Sequence, residues 1–198
     1  AEKYSIHFHC WDKRALRNFL ESARAYLGDS FSIVELCPNG PETVVVLHGT
    51  ASLEETAYFL HLTAKVEVPI VVVGAQRPAN ALSTDAGMNL ANAIRTAASE
   101  EARGLGTLVL LNDEIHSARE VTKTSTFRLQ TFRTPDFGVL GHADGDQIVF
   151  YRKPVRRHAP ATEFDIRGRE ALPRVDIAYA YTGSDGTAVR AFLAAGAR

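Results

Sequence analysis

The sequence has little of several features that would point to a special environment. Of its 198 residues only two are cysteine, one is methionine and one is tryptophan, and its formal net charge is -1. A charge so close to zero provides no electrostatic attraction for nucleic acid or for an anionic membrane surface. Its apolar runs, such as residues 69–73 and 107–111, are far shorter than the ~20 residues of a membrane-spanning helix. We therefore expect neither nucleic acid nor a membrane as a partner.

The two cysteines, Cys10 and Cys37, are either free thiols or one bridge. A small secreted domain that depended on disulfides would carry more of them. No basic segment followed by an apolar run opens the chain, so no secretion signal is expected. The sequence therefore predicts a reduced, cytoplasmic protein.

Three short apolar runs predict strands that are buried on both faces, at residues 44–47, 69–74 and 107–111. Continuous apolar runs of this length are typical of parallel strands covered by helices on either side. Segments with helix-start signals separate the three runs. We therefore expect an α/β protein with an open, mostly parallel sheet flanked by helices.

Two helices are predicted between these strands. Ser52 is followed three residues later by Glu55, which is the pattern of a reciprocal capping box. Asp85 is a favourable N-cap for a second helix that reaches about Ala102.

The alternation of strands and helices becomes less regular after the third strand. Residues 113–135 form a long polar stretch, and such stretches in compact domains are often functional. The Asp144-Gly145 pair predicts a β-hairpin whose second arm is residues 147–151. Further on, residues 175–181 predict another strand, and Ser184-Asp185 predicts the start of a helix that reaches Ala195.

Polar groups follow each of the three predicted parallel strands. In an open α/β sheet, ligands bind at the carboxyl ends of the strands. The first strand leads through His48 and Gly49 to Thr50, immediately before a helix. Free backbone N–H groups and the helix dipole favour negative charge at such a position. The other two strand ends carry residues 74–77 and 112–113.

Thr50 and Lys123 form the sharpest chemical hypothesis. A threonine hydroxyl is a weak nucleophile until a base accepts its proton, and a desolvated lysine is able to act as that base. The alternative from the residues alone is a capping threonine and a solvated lysine. His48 is expected to satisfy a backbone group at its strand end, and no residue cluster has the spacing of metal ligands. We therefore predict no metal site.

Several segments closely resemble the bacterial L-asparaginase/glutaminase family. The resemblance covers about residues 44–198 without a break in register. It implies hydrolysis of the side-chain amide of L-asparagine or glutamine to a carboxylate and ammonia, through a threonine acyl-enzyme and without a cofactor. The segments that carry the resemblance are residues 48–58, 73–78, 111–113, 121–124, 135–138, 140–141 and 164–165.

The resemblance assigns expected roles to five positions. Thr50 matches the family's second catalytic threonine, and Lys123 matches the lysine that serves it. Gly49 shapes the same turn, and Ala75 matches the position whose backbone carbonyl faces the substrate amide. Ala51 stands where the family has an aspartate that binds the substrate's α-ammonium group. We therefore count Gly49, Ala51 and Ala75 as candidate substrate-binding positions.

The resemblance also predicts how the chain is organised. Residues 44–152 correspond to the α/β core, residues 153–172 to a linker, and residues 173–198 to a truncated start of the family's C-terminal domain. That last part would leave an unpaired strand edge, which predicts a homo-oligomer.

Residues 1–43 look foreign to the family and faintly resemble the tail of a class I methyltransferase. They contain no Gly-Gly-Thr segment for the family's first catalytic threonine. His7 and His9 alternate on one predicted strand, where half-buried structural histidines are the simpler interpretation. Two functions are therefore compared below: an asparaginase-type amidohydrolase, and a catalytically impaired or inactive remnant or engineered chimera.

Overall fold

A computed structural model describes residues 31–35, 43–168 and 171–197, with the backbone alone for residues 31–35. The predictions for His7, His9, Cys10 and Cys37 lie outside these residues, as does the methyltransferase-like segment apart from residues 31–35. The chain divides into two compact units, Ala1–Asp165 and Ile166–Arg198. The boundaries of the four predicted parts, including a linker over residues 153–172, stay a prediction.

The first unit alternates strands and helices along the chain. Its helices are α1 (Leu53–Thr63) and α2 (Ala86–Ala98), and a 3₁₀ turn follows at Glu100–Ala102. Its strands are β1 (Phe31–Glu35), β2 (Val44–His48), β3 (Ile70–Val73), β4 (Thr107–Leu111), β5 (Glu114–Ser117), β6 (Thr122–Lys123), β7 (Phe132–Arg133), β8 (Gly141–Asp144) and β9 (Gln147–Phe150).

Seven strands of the described part of the chain form one sheet, in the order β1-β2-β3-β4-β5-β8-β9. The central strands β2, β3 and β4 pair in parallel, and the other neighbouring strands pair antiparallel. Parallel neighbours require crossover connections, which α1 and α2 supply. The predicted open α/β sheet flanked by helices is therefore confirmed, with its parallel pairing at the centre. The predicted hairpin at Asp144-Gly145 is also confirmed, because β8 and β9 flank it.

Both faces of the central strands are covered. On one face a core cluster joins these strands to Ala93 and Ala97 of α2. Helix α1 packs against β3 and β4 through buried apolar residues of its own, which include Leu53 and Leu60. Because adjacent strand residues point to opposite faces, burial of every residue of β3 and β4 requires cover on both sides.

Two details of the helix starts differ from the prediction. Ser52 is the N-cap of α1, but its side chain makes no capping hydrogen bond, so the predicted capping box with Glu55 is wrong. Asp85 is the N-cap of α2, and its side chain likewise makes no hydrogen bond that caps the helix. Its carboxylate instead accepts hydrogen bonds from the backbone N–H groups of Gln76 and Arg77, each at 2.9 Å. At Asp85, hydrogen bonds to a loop outside the helix therefore take the place of the local cap.

The second unit contains one helix among its described residues, α3 (Thr187–Ala194). Its N-cap is Gly186, and the Asp185 carboxylate accepts the Thr187 N–H at 2.9 Å. The strand predicted over residues 175–181 is wrong, because this segment has no regular structure. A strand needs a neighbour for its backbone hydrogen bonds. None is present among the residues described for this unit.

His61 is a fully buried histidine near the end of α1. Its Nδ1 accepts a hydrogen bond from the Thr107 N–H at 3.2 Å, and its ring centroid lies 5.2 Å from that of His158. Burial disfavours the charged ring and, together with the nearby charges of His158 and Arg119, lowers the pKa of His61 to about 4.

We expect this buried histidine to make folding stability fall as the pH decreases from about 6.5 to about 4. The unfolded chain binds a proton at His61 in this range, whereas the folded chain does not. The loss is at most about 3 kcal/mol, because one pKa unit corresponds to about 1.4 kcal/mol. Urea unfolding at pH 7 and pH 4.5 measures it. The decrease should be smaller in H61Q, and an equal decrease in both proteins would contradict the assignment.

Among the described residues, no helix is long and apolar enough to cross a membrane.

Candidate functional site

Thr50 and Lys123 lie in direct contact at the carboxyl end of β2. Lys123 Nζ is 2.8 Å from Thr50 Oγ1 and 3.1 Å from the Thr50 backbone oxygen. Both residues are partly buried. Thr50 belongs to the turn between β2 and α1, and Lys123 is the second residue of β6. The structure therefore brings together the hydroxyl and the amine that the sequence singled out.

His48 shapes the turn that carries Thr50. Its Nδ1 lies 2.8 Å from the Gly49 backbone oxygen, which confirms the predicted structural role at the strand end. Its Nε2 lies 2.8 Å from Oγ1 of Thr56 on α1. The buried ring therefore connects the end of β2 to the second turn of the following helix.

Gly74 allows the end of β3 to approach this turn. A Cβ atom at position 74 would lie 2.6 Å from the His48 backbone oxygen and 3.1 Å from Thr50 Cγ2. A distance of 2.6 Å is below any ordinary contact, so a larger residue would displace the turn. Glycine is therefore required at position 74, because the turn leaves no room for a side chain.

Three predicted substrate-binding positions surround Thr50. Gly49 and Ala51 flank it in the sequence and are exposed, and Ala75 follows Gly74 and is partly buried. The methyl side chain of Ala51 offers neither charge nor a hydrogen bond. The Ala51 side chain therefore supplies no ligand for a cation.

Lys123 is carried by a small ribbon in which β6 and β7 pair antiparallel, with Lys123 opposite Phe132. Phe132 is buried and fixes β7 to the body of the unit. The carboxylate of Glu54, in the first turn of α1, accepts the Lys123 backbone N–H. It also accepts the Thr122 hydroxyl at 3.4 Å. Glu54 is a contact that the sequence analysis missed, although its place four residues after Thr50 was a possible signal.

A second set of contacts fixes the β7 side of this ribbon. Nδ1 of the buried His116 lies 3.0 Å from Thr134 Oγ1, just beyond β7. The Gln130 amide donates to Glu114 Oε1 at 3.1 Å. The contact of Glu114 Oε2 with His116 Nε2 at 3.5 Å, and to a smaller extent the hydrogen bond from Gln130, lowers the pKa of Glu114. These groups join the ribbon to β5, and none of them was found from the sequence.

Polar residues of α2 hold the other two strand ends. The amide of Asn89 donates to the Gly74 backbone oxygen at 3.0 Å and accepts the Asn112 N–H at 3.0 Å. Asn92 donates to Asp113 Oδ1 at 2.7 Å. Asn89 and Asn92 lie four and seven residues after Asp85, so a polar stripe on one helix face was the sequence signal.

Asn112 and Asp113 form the turn between β4 and β5. Their φ angles are +53° and +64°, as a two-residue hairpin turn requires. The prediction that these residues shape a turn is therefore confirmed. No group of three or more His, Cys, Asp or Glu side chains suited to a metal ion occurs within the described ranges.

Comparisons with known proteins agree with this architecture. The family described as "Asparaginase, N-terminal" matches residues 32–156, so the match begins within β1. A glutaminase-asparaginase of Pseudomonas fluorescens biotype A is 46% identical over 155 residues, which cover 78% of this chain and 42% of that protein. The chain belongs to the asparaginase family, through the N-terminal domain of that family.

Two further relatives give the same result. A probable periplasmic L-asparaginase of Haemophilus influenzae is 45% identical over 152 residues, covering 77% of this chain and 44% of the relative. L-asparaginase 2 of Bacillus subtilis is 44% identical over 163 residues, covering 82% and 43%. The chain therefore spans less than half the length of these relatives.

Proposed function

We propose that this protein is an asparaginase-type amidohydrolase that releases ammonia from L-asparagine or glutamine. The observation that carries this proposal is the 2.8 Å contact between Lys123 Nζ and Thr50 Oγ1. A hydroxyl in contact with an amine, next to a helix start, is suited to nucleophilic attack on an amide. The names of the relatives, L-asparaginase and glutaminase-asparaginase, support this substrate class.

In the proposed reaction, Lys123 in its neutral form accepts the proton of Thr50 as Oγ1 attacks the amide carbon. The carbon–nitrogen bond then breaks, and the nitrogen leaves as ammonia after receiving a proton from Lys123. Water then attacks the ester carbon while Lys123 accepts its proton, and Lys123 returns this proton to Thr50 Oγ1 as the ester bond breaks and the acid is released. The first N–H groups of α1 have no acceptors within the helix, and in this proposal they stabilise the negative oxygen.

One observation favours the alternative of an impaired or inactive asparaginase-like remnant or chimera. Ala51 provides no carboxylate beside Thr50, where the family resemblance predicts one for the substrate's α-ammonium group. The two proposals differ in turnover. An ammonia-release assay on asparagine and on glutamine therefore separates them, with T50V as the inactive reference. Release by the wild type that T50V abolishes supports the amidohydrolase, and release that T50V leaves intact rejects the site.

We also propose that the protein is a homo-oligomer. In the second unit, Val175, Ile177 and Tyr179 alternate along the chain and are 71–83% exposed. Alternating apolar residues without a pairing strand favour association with another chain. Light scattering measures the mass in solution, and a monodisperse monomer would contradict this proposal.

Two other expectations remain proposals. A cytoplasmic location is supported by the low cysteine content. Descent of residues 1–43 from a methyltransferase rests on a faint sequence resemblance alone, and residues 32–43 of this segment also lie within the asparaginase family match. Neither nucleic acid nor a membrane is proposed as a partner, because the net charge is close to zero.

A further inference from the structure

We propose that Glu54 is the positioning residue that holds Lys123 against Thr50. This inference rests on the proposed function, because it concerns the same pair of reacting groups. Glu54 touches the backbone of Lys123, and it has no place in the chemical steps described above.

The position of Glu54 relative to Thr50 is fixed by a short, rigid connection. Only three residues separate them, and one of these, Leu53, begins α1 with a completely buried side chain. His48 connects the same turn to Thr56 on α1. The carboxylate in the first turn of α1 is therefore held at a defined distance from the Thr50 hydroxyl.

The position of Lys123 depends on the same carboxylate. Glu54 Oε2 accepts the Lys123 N–H, and Oε1 accepts the Thr122 hydroxyl at 3.4 Å. Strand β6 contains only two residues, and the Thr124 N–H extends its pairing by donating to the Thr131 backbone oxygen at 2.8 Å. These hydrogen bonds hold β6 to β7, whereas Glu54 links β6 to α1. The contacts of His116, Glu114 and Gln130 hold β7 and its flanking loops rather than β6 itself.

The first turn of α1 therefore positions both reacting groups. Thr50 lies just before this turn, and the Glu54 carboxylate within it binds the backbone of Lys123. Lys123 is 73 residues away from Thr50 in the sequence, and its side chain has several rotatable bonds. Fixing its backbone reduces the volume that Nζ samples and keeps it at hydrogen-bond distance from Oγ1. A displacement of about 1 Å is enough to reduce the rate of an enzyme about a hundredfold.

Glu55 provides a matched control in the same helical turn. It is exposed, and no hydrogen bond of its side chain is found among the described residues. Replacement of Glu54 or Glu55 removes the same charge from the start of α1 and has the same effect on the helix dipole. Only replacement of Glu54 removes the contact with β6.

The experiment compares E54A, E54Q, E55A and E55Q in the full chain by ammonia release and by NMR of Lys123. We expect kcat to fall about a hundredfold in E54A with little change in KM, and both Glu55 variants to resemble the wild type. The kcat of E54Q should be about tenfold higher than that of E54A, since a neutral acceptor forms a hydrogen bond of roughly half the strength. Equal kcat in E54A and E55A would overturn the proposal.

The NMR measurement separates failure of this inference from failure of the proposed function. The amide proton of Lys123 should be shifted downfield in the wild type and in E55Q, and it should move upfield in E54A. The Lys123 Cε signals should change with it, because Nζ leaves Thr50. If the wild type releases no ammonia, the proposed function fails, and these signals alone decide the positioning role. Lys123 signals that are unchanged in E54A and E54Q would reject that role.

Discussion

Replacement of Lys123 by methionine should lower kcat for ammonia release about a thousandfold, with the fold retained. Methionine has a similar length and preserves apolar packing, but it neither accepts nor donates the proton. General acid–base catalysis contributes about 10²- to 10⁴-fold to the rate of an enzyme, so loss of this amine removes most of that rate enhancement. T50V should have an effect at least as large, since it removes the attacking oxygen. Steady-state kinetics with asparagine and glutamine measures both.

A matched control for this variant is K153M, which makes the same substitution at an exposed lysine. We expect its kcat to equal that of the wild type. The double variant T50V/K123M should be no slower than either single variant, because groups that act as a unit are not additive. Substantial turnover by K123M, or an equal loss in K153M, would exclude Lys123 as the base.

Introduction of a carboxylate at position 51 should have a large effect in the opposite direction. In A51D the new aspartate lies beside Thr50, where the family resemblance predicts a partner for the substrate's α-ammonium group. Loss of such a charged contact costs about 2–5 kcal/mol, so its restoration should raise kcat/KM for asparagine about thirtyfold or more. The exposed position before α1 tolerates the change, since a negative charge is favourable at a helix N-terminus.

The reason for this gain is tested with a substrate that lacks the α-amino group, such as succinamic acid. The increase in A51D should be confined to asparagine and glutamine, and succinamic acid should gain nothing. S52D adds the same charge one residue further along and controls for a general electrostatic effect. An equal increase in S52D, or with succinamic acid, would show that the carboxylate does not bind the ammonium group.

Much of the fold could be predicted because its signals are local. The apolar runs at β2, β3 and β4 predicted buried strands, and the Asp144-Gly145 pair predicted the β8–β9 hairpin. The strand predicted at residues 175–181 failed for a different reason. Alternating apolar residues favour extended structure, but the hydrogen bonds of a strand come from a neighbour, and none is found for this segment in the part of its unit that the structure describes.

The site was predicted less completely than the fold. Thr50 follows from its place between a strand and a helix, and the family motifs singled out Lys123. The supporting residues Glu54, His116 and Asn89 were not found, because each has an ordinary local interpretation. Glu54 and Asn89 are common residues in exposed or polar helix positions, and a buried histidine is most often structural. Their role depends on contacts with segments distant in the sequence.

The sequence by itself determined the class of fold, the position of Thr50 and the absence of a carboxylate at position 51. These follow from hydrophobic periodicity, turn residues and a family pattern, all of which are read along the chain. Only the tertiary structure decided that Lys123 lies 2.8 Å from Thr50. The physical reason is that a two-residue strand has no periodicity of its own. Its contacts come from distant segments, and they include the hydrogen bond of the Lys123 N–H to the Glu54 carboxylate and the pairing with the buried Phe132.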